Sequence, residues 1–277
     1  MKINKNMVFM IVVLTVAIGV AISIVKIERD GKSKKMKVSG NIETDYVKLS
    51  FRVQGKISEL LTDEGQLIKK SDVVARLDTD ELIQIKNQAE GSLKAAQYQY
   101  DLDKIDYTRA ENLFQAGAIP AQQRDSAKTK FDADQANVQA LQASLDLATT
   151  RLGFADLVTP IDGYVLVKSA LAGEYVQPGS TVFTVADLNN IWVTGYINEK
   201  DLGKVKLNQE AQVKTDSFPD RVYKGRVSFI SSEAEFTPKQ IQTTEERVKL
   251  VYRIKIKVDN TNLELKPGMP ADGYIIE

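Results

Sequence analysis

Hydrophobic positions change rhythm four times along this chain, and each rhythm predicts a different kind of element. Residues 7–25 read MVFMIVVLTVAIGVAISIV, apolar throughout and free of charge and proline. A helix over residues 8–25 would rise ~27 Å, close to the ~30 Å hydrocarbon core of a bilayer. A cleaved signal peptide is the rival reading, because Lys2 and Lys5 make a short basic start. The apolar run exceeds the ~7–15 residues usual for such a leader and no A-x-A site follows, so a retained anchor is expected.

The second rhythm is interrupted by a third. Residues 53–78, VQGKISELLTDEGQLIKKSDVVARLD, return 108 positions later as residues 160–186, PIDGYVLVKSALAGEYVQPGSTVFTVA. Gly55 aligns with Gly163, Ile57 with Val165, Gly65 with Gly173, Ile68 with Val176, Val74 with Val182 and Leu77 with Val185, without a gap. Short β-branched runs broken by Gly, Pro or Asp predict short strands and tight turns. Neither half is long enough to bury a core alone, so the two are expected to pair as one small β-sandwich.

Between the halves, residues 79–152 are rich in Ala, Gln, Leu, Asp and Lys. Ala89, Leu93, Ala96, Tyr100, Asp103, Tyr107, Ala110 and Phe114 recur at steps of four and three. Ala127, Phe131, Asp134, Val138, Leu141, Leu145, Ala148 and Leu152 do the same. Such a repeat marks coiled-coil helices. The break is AGAIP, residues 116–120, where Gly117 can cap one helix and Pro120 can start the next. Two arms of about 35 residues make an antiparallel hairpin ~50 Å long. Reflection about the turn sets Asp103 opposite Asp134. Either the carboxyls face each other and raise at least one pKa, or, the reading preferred here, both lean outward to Lys104 and Lys130.

The fourth rhythm is alternation from residue 188 onward. In residues 248–257, VKLVYRIKIK, Val248, Leu250, Tyr252, Ile254 and Ile256 share one face, and Lys249, Arg253, Lys255 and Lys257 the other. This is the pattern of a half-buried antiparallel strand. With further candidates at 191–197, 221–230 and 271–276, it predicts a small barrel of about six strands. The basic face would be solvated, or would meet anionic lipid or an acidic partner.

Composition removes more possibilities than it adds. The chain has 277 residues, with 37 Lys plus Arg balanced by 37 Asp plus Glu, which argues against a general nucleic-acid binder. With no Cys and no His, disulfides, thiolate or HExxH metal sites and Ser-His-Asp chemistry are all excluded. Charge leaves the orientation of the anchor open. Lys26, Arg29, Lys32, Lys34, Lys35 and Lys37 would hold the bulk of the chain in the cytoplasm, yet a domain of about 240 residues can translocate regardless of flanking charge.

An anchor, a sandwich split by a helical hairpin and a following β-barrel together resemble the periplasmic adaptor (membrane fusion, or HlyD-like) proteins of bacterial efflux and secretion pumps. The resemblance covers nearly the whole chain from Val38. It implies an α+β multidomain fold. Residues 1–6 would be a short cytoplasmic tail, 7–25 a transmembrane anchor, and 26–44 a linker and first strand. Residues 45–78 with 154–187 would form a split biotinyl/lipoyl-like β-sandwich, 79–153 an inserted coiled-coil hairpin, and 188–277 a C-terminal β-barrel. Carrier versions of the sandwich modify a Lys in a tight turn. The equivalent turn here is Asp78-Thr79-Asp80, where the hairpin is inserted, so carrier chemistry, and with it any cofactor, is not expected.

In adaptors that dock on TolC-like outer-membrane ducts the hairpin tip carries R-L-x-x-L-x4-A-x-S-x4-D-x-A, and residues 109–127 here read RAENLFQAGAIPAQQRDSA. Arg109, Leu113, Ala118, Asp125 and Ala127 fall in register. Ala110 replaces the Leu and Pro120 the Ser. The resemblance implies duct docking through Arg109, Leu113, Ala118, Pro120, Asp125 and Ala127; the alternative is that Arg109 and Asp125 merely pair across the hairpin. Residues 235–256 and the following LKPGMPADGYI look like the barrel of adaptors that serve ABC-type exporters, and little sequence follows. The expected protein is therefore a non-enzymatic, inner-membrane-anchored adaptor with its bulk in the periplasm. It would form a ring (a hexamer, by resemblance) bridging an ABC-type exporter to the duct. An adaptor of an RND or MFS pump, or a passive coiled-coil envelope tether, are the alternatives.

Overall fold

A computed structural model describes residues 35–236 and 250–276. The expected tail and anchor, most of the linker, and the segment 237–249 with Val248 and Lys249 lie outside the described residues. The chain divides into two compact units, residues 46–187 and residues 35–45 with 188–276.

In chain order the elements of the first half are β1 (Lys35–Ser50), β2 (Gly55–Leu60), β3 (Leu67–Ile68), β4 (Val73–Leu77), α1 (Asp80–Gln115) and α2 (Ala121–Gly153). The second half has β5 (Asp156–Val158), β6 (Gly163–Lys168), β7 (Tyr175–Val176), β8 (Thr181–Asn198), α3 (Glu199–Leu202), β9 (Glu210–Thr215), β10 (Phe218–Ile230), β11 (Glu235–Phe236), β12 (Leu250–Val258) and β13 (Pro270–Ile276). The long strands β1 and β8 each pass from one unit into the other.

In residues 46–187 the repeat becomes an exchange of strands. β2 of the first half pairs with β7 of the second (Gly55↔Val176), and β3 pairs with β6 (Ile68↔Gly163). The turns exchange as well: Gly65 N–H donates to Val165 O and Gly173 N–H to Ile57 O, both at 2.8 Å. Aligned residues therefore occupy equivalent places about a local two-fold relation. Phe51, Ile57, Val74, Val165, Val182 and Phe183 fill the core that neither half closes alone.

In the other unit β12, β10, β9, β13, β1 and β8 are neighbours in that order, and pairing of β8 with β12 closes six strands into a barrel. Ile191, Val193, Val213, Val227, Ile254, Ile256 and Ile275 point inward. Alternation delivered this directly: Ile254 and Ile256 are buried and Lys257 exposed. Strand β9 and the full length of β1 were not read from the sequence. Buried Asn260 pins the turn after β12: its amide donates to Leu188 O and Leu265 O, and its carbonyl accepts from Leu265 N–H.

Candidate docking site at the hairpin tip

The helices α1 and α2 span 36 and 33 residues and meet along the positions of the four-three repeat, which are the buried or half-buried ones on each. Cross-arm contacts run in opposite directions along the two helices, from Tyr100 against Phe131 to Glu111 against Arg124. Phe131 lies between Tyr100 and Tyr107, with ring centroids 5.2 and 5.6 Å away. Stacks of this kind add to the apolar burial of the seam.

Beside these rings the favoured sequence reading of the acidic pair needs correcting. Asp103 does not lean outward; it is 2% exposed. Lys130 comes to it, Nζ to Oδ1 2.7 Å, and Gln99 Nε2 donates to its other oxygen at 3.3 Å. Lys104 plays no part in this pairing. The Asp134 carboxyl faces Asp103 from the opposite arm, its Oδ2 buried without a hydrogen-bond partner among the described residues, and Asp134, Lys130 and Gln99 together hold Asp103 below the usual carboxylate range. Asp134 is pushed up, first by the Asp103 carboxyl beside it and then by burial. The physical reason is register: the two seam positions coincide in height, so the carboxyls meet across the arms and Asp103 is buried there.

At the tip, α1 ends in a Schellman turn. Ala118 N–H donates to Leu113 O and Gly117 N–H to Phe114 O, with Gly117 at φ 72°. A residue without Cβ takes that conformation at least cost. Pro120 is the residue before α2 rather than its first helical residue.

Arg109 and Asp125 do not pair across the hairpin. Arg109 bonds Asp106 on its own helix at 3.1 Å, and Asp125 lies 2.9 Å from its neighbour Arg124. The cross-arm role belongs to Arg124, which the tip pattern does not single out. Its guanidinium lies 4.7 Å from the centroid of the Phe114 ring and 3.8 Å from Glu111. Reflection about the turn places 124 against 113–114, so the signal was present in the spacing. With Arg124 holding the arms together, the pattern residues are left outward. Side-chain exposure is 68% for Arg109 and 63% for Asp125, Leu113 is 42% exposed, Ala118 and Pro120 are exposed, and Ala127 is half-buried. An apolar side chain between charges of opposite sign suits contact with another protein. Among the described residues no group could hold a metal ion, and no helix is long and apolar enough to cross a membrane.

Residues 45–187 match the CzcB-like, barrel-sandwich hybrid domain family, and residues 191–272 the YknX-like beta-barrel domain. A UPF0194 membrane protein of Yersinia enterocolitica is 29% identical, over 94% of each chain. MacA from Actinobacillus actinomycetemcomitans superposes with a TM-score of 0.72 at 26% identity, covering 88% of this chain and 79% of its own. The membrane fusion protein Spr0693 from Streptococcus pneumoniae R6 shares the fold, with a TM-score of 0.69 at 16% identity over 87% and 98% of the two chains. The chain belongs to the CzcB-like barrel-sandwich hybrid family.

Proposed function

We propose that this protein is the adaptor of a tripartite export system, anchored in the inner membrane by residues 7–25, with its bulk in the periplasm. It joins an ABC-type exporter to a TolC-like outer-membrane duct, and copies of the chain form a ring, a hexamer by resemblance. The observation that carries the reading is the hairpin tip. A rigid arm of ~50 Å ends in Arg109, Leu113, Ala118, Pro120 and Asp125, all exposed and none used to close the turn through its side chain. Ala127 stands one turn back on α2. The arm supplies reach and the tip supplies a surface. The mechanism is geometric, and energy comes from the exporter, since the sequence has no GxxxxGK[ST] phosphate loop.

Photo-crosslinking in living cells from a probe at Ala118, with mass spectrometry of the adducts, tests this. An outer-membrane duct in the adduct supports bridging, and a second probe at Arg253 on β12 then seeks the exporter. Capture of copies of the same chain alone makes the hairpin a spacer.

A further inference from the structure

The hairpin carries apolar residues on the faces that a two-helix coil leaves polar. On α1, Tyr98, Leu102 and Ile105 stand two positions past the seam residues Ala96, Tyr100 and Asp103, which turns them ~200° away from α2. They are between 51% and 65% exposed. The matching row on α2, two positions past Phe131, Asp134 and Val138, is Ala133, Ala136 and Ala140, all exposed. Ser92 and Ser144 line one groove between the arms, and Asp103 faces Asp134, which fixes the relative height of the helices. Tyr98 then falls level with Ala140, Leu102 with Ala136 and Ile105 with Ala133, each to about 3 Å. Toward the root of the hairpin the sizes reverse. Leu147, 53% exposed, is the large member on α2, and Gly91 is level with it on α1. Gly91 sits inside a 36-residue helix, where glycine is weaker than alanine, and an added Cβ there would meet nothing within 4 Å. Among the described residues nothing calls for this glycine.

We propose that these two rows are the contact between neighbouring copies of the chain. The α1 helix of one copy lies along α2 of the next, with its large side chains over the alanines and its Gly91 as the seat for Leu147 of the next copy. The inference rests on the ring reading and deepens it by naming the surfaces that meet. Equal height argues for a second copy of this chain. Rotation about an axis along the hairpin leaves heights unchanged, so a ring brings each residue of the α1 row to the α2 row at its own level. At all four levels that contact sets large against small. Pairing α1 with α1 about a two-fold axis along the hairpin would set large on large. Heterologous contacts close into rings, where two-fold contacts stop at dimers. Charge agrees with the pairing: exposed Lys94 and exposed Asp146 border the two rows within one helical turn of the same height.

The chain has no cysteine, so engineered thiols report without background. The whole chain, in the membranes of the expressing cells, would carry Leu102→Cys together with Ala136→Cys and be treated with copper phenanthroline, which oxidises thiols held within disulfide reach. The two positions lie on opposite outer faces of one hairpin and cannot join within a chain. A ladder of multimers is expected from the pair, and none from either single variant. Adding Gly91→Gln should cut the ladder about tenfold, while amide exchange of α1 stays unchanged or slows, because glutamine favours the helix over glycine. Faster exchange with an undiminished ladder makes Gly91 a folding residue and overturns the seat. Dimers from Leu102→Cys alone overturn the pairing of α1 with α2. No ladder from a chain that a lysine-reactive crosslinker joins into multimers overturns the interface while the ring stands. A chain that neither reagent joins overturns the ring, and this contact with it.

Discussion

Asp103 and Asp134 meet across the two arms of the hairpin, with Lys130 bonded to Asp103 and Asp134 Oδ2 left buried without a hydrogen-bond partner among the described residues. The two carboxyls therefore titrate on opposite sides of the ordinary aspartate value. The other groups in reach are Gln99 and Asp106 on α1, and the neighbouring rings are Tyr100, Tyr107 and Phe131.

From this pair follows a pH dependence with a definite sign. Asp134 has a raised pKa, so its contribution is greatest when protonated and is lost as pH rises through that value. Asp103 has a lowered pKa, so its pairing with Lys130 is present above the unfolded value and is lost only as pH falls through the lower one. The hairpin should therefore tighten on mild acidification and loosen in strong acid. Asp134→Asn should stabilise it at neutral pH and remove the mild-acid gain, read by hydrogen exchange of α1 and α2 across pH. Exchange that does not slow as pH falls through the Asp134 value, after correction for intrinsic rates, contradicts the raised Asp134 pKa.

At the tip, Leu113→Asp or Arg109→Glu should abolish export at unchanged abundance. Both side chains are exposed, and Arg109 bonds only within its own helix. By contrast Arg124→Ala should loosen the tip itself, because it removes the guanidinium from Phe114 and Glu111, at a cost of about 1 kcal/mol. Export assays beside thermal melts separate the two outcomes. Normal export by both tip variants counts against docking.

In the barrel, Asn260→Ala should cost about 2–4 kcal/mol, since it strands buried Leu188 O, Leu265 O and Leu265 N–H together. Asn260→Asp should not rescue it, because the two donated bonds need an amide. Urea denaturation followed by Trp192 emission measures both.

In the sandwich the paired glycines should respond alike. Gly65 and Gly173 have φ of 80° and 91°, and an added Cβ at either meets nothing within 4 Å. Alanine should cost about 1–2 kcal/mol at each, the backbone penalty alone. Gly163→Ala should cost more, because its Cβ would fall 2.6 Å from Ala186 O. Equal losses at all three in denaturant midpoints would contradict this division.

The sequence by itself determined the periods and the repeat. A four-three spacing forces one face of each helix to the seam, and strict alternation sends Ile254 and Ile256 inward and Lys257 outward. The offset of 108 residues pointed to two half-sandwiches sharing one core, because neither could bury Ile57 or Val165 alone, and the packing settled that they do so by exchanging strands. Partners among charges were decided only by the tertiary structure. Reflection about the turn already set Asp103 opposite Asp134 and residue 124 opposite 113–114, but only the packed arms bring Lys130 rather than Lys104 to Asp103 and give the cross-arm contact to Arg124 rather than Arg109. Pairing of β10 with β12 gathered Lys224, Arg226 and Lys257 from strands some thirty residues apart. Periodicity is a local property of the backbone, whereas the distance between two side chains on different elements exists only once those elements have packed.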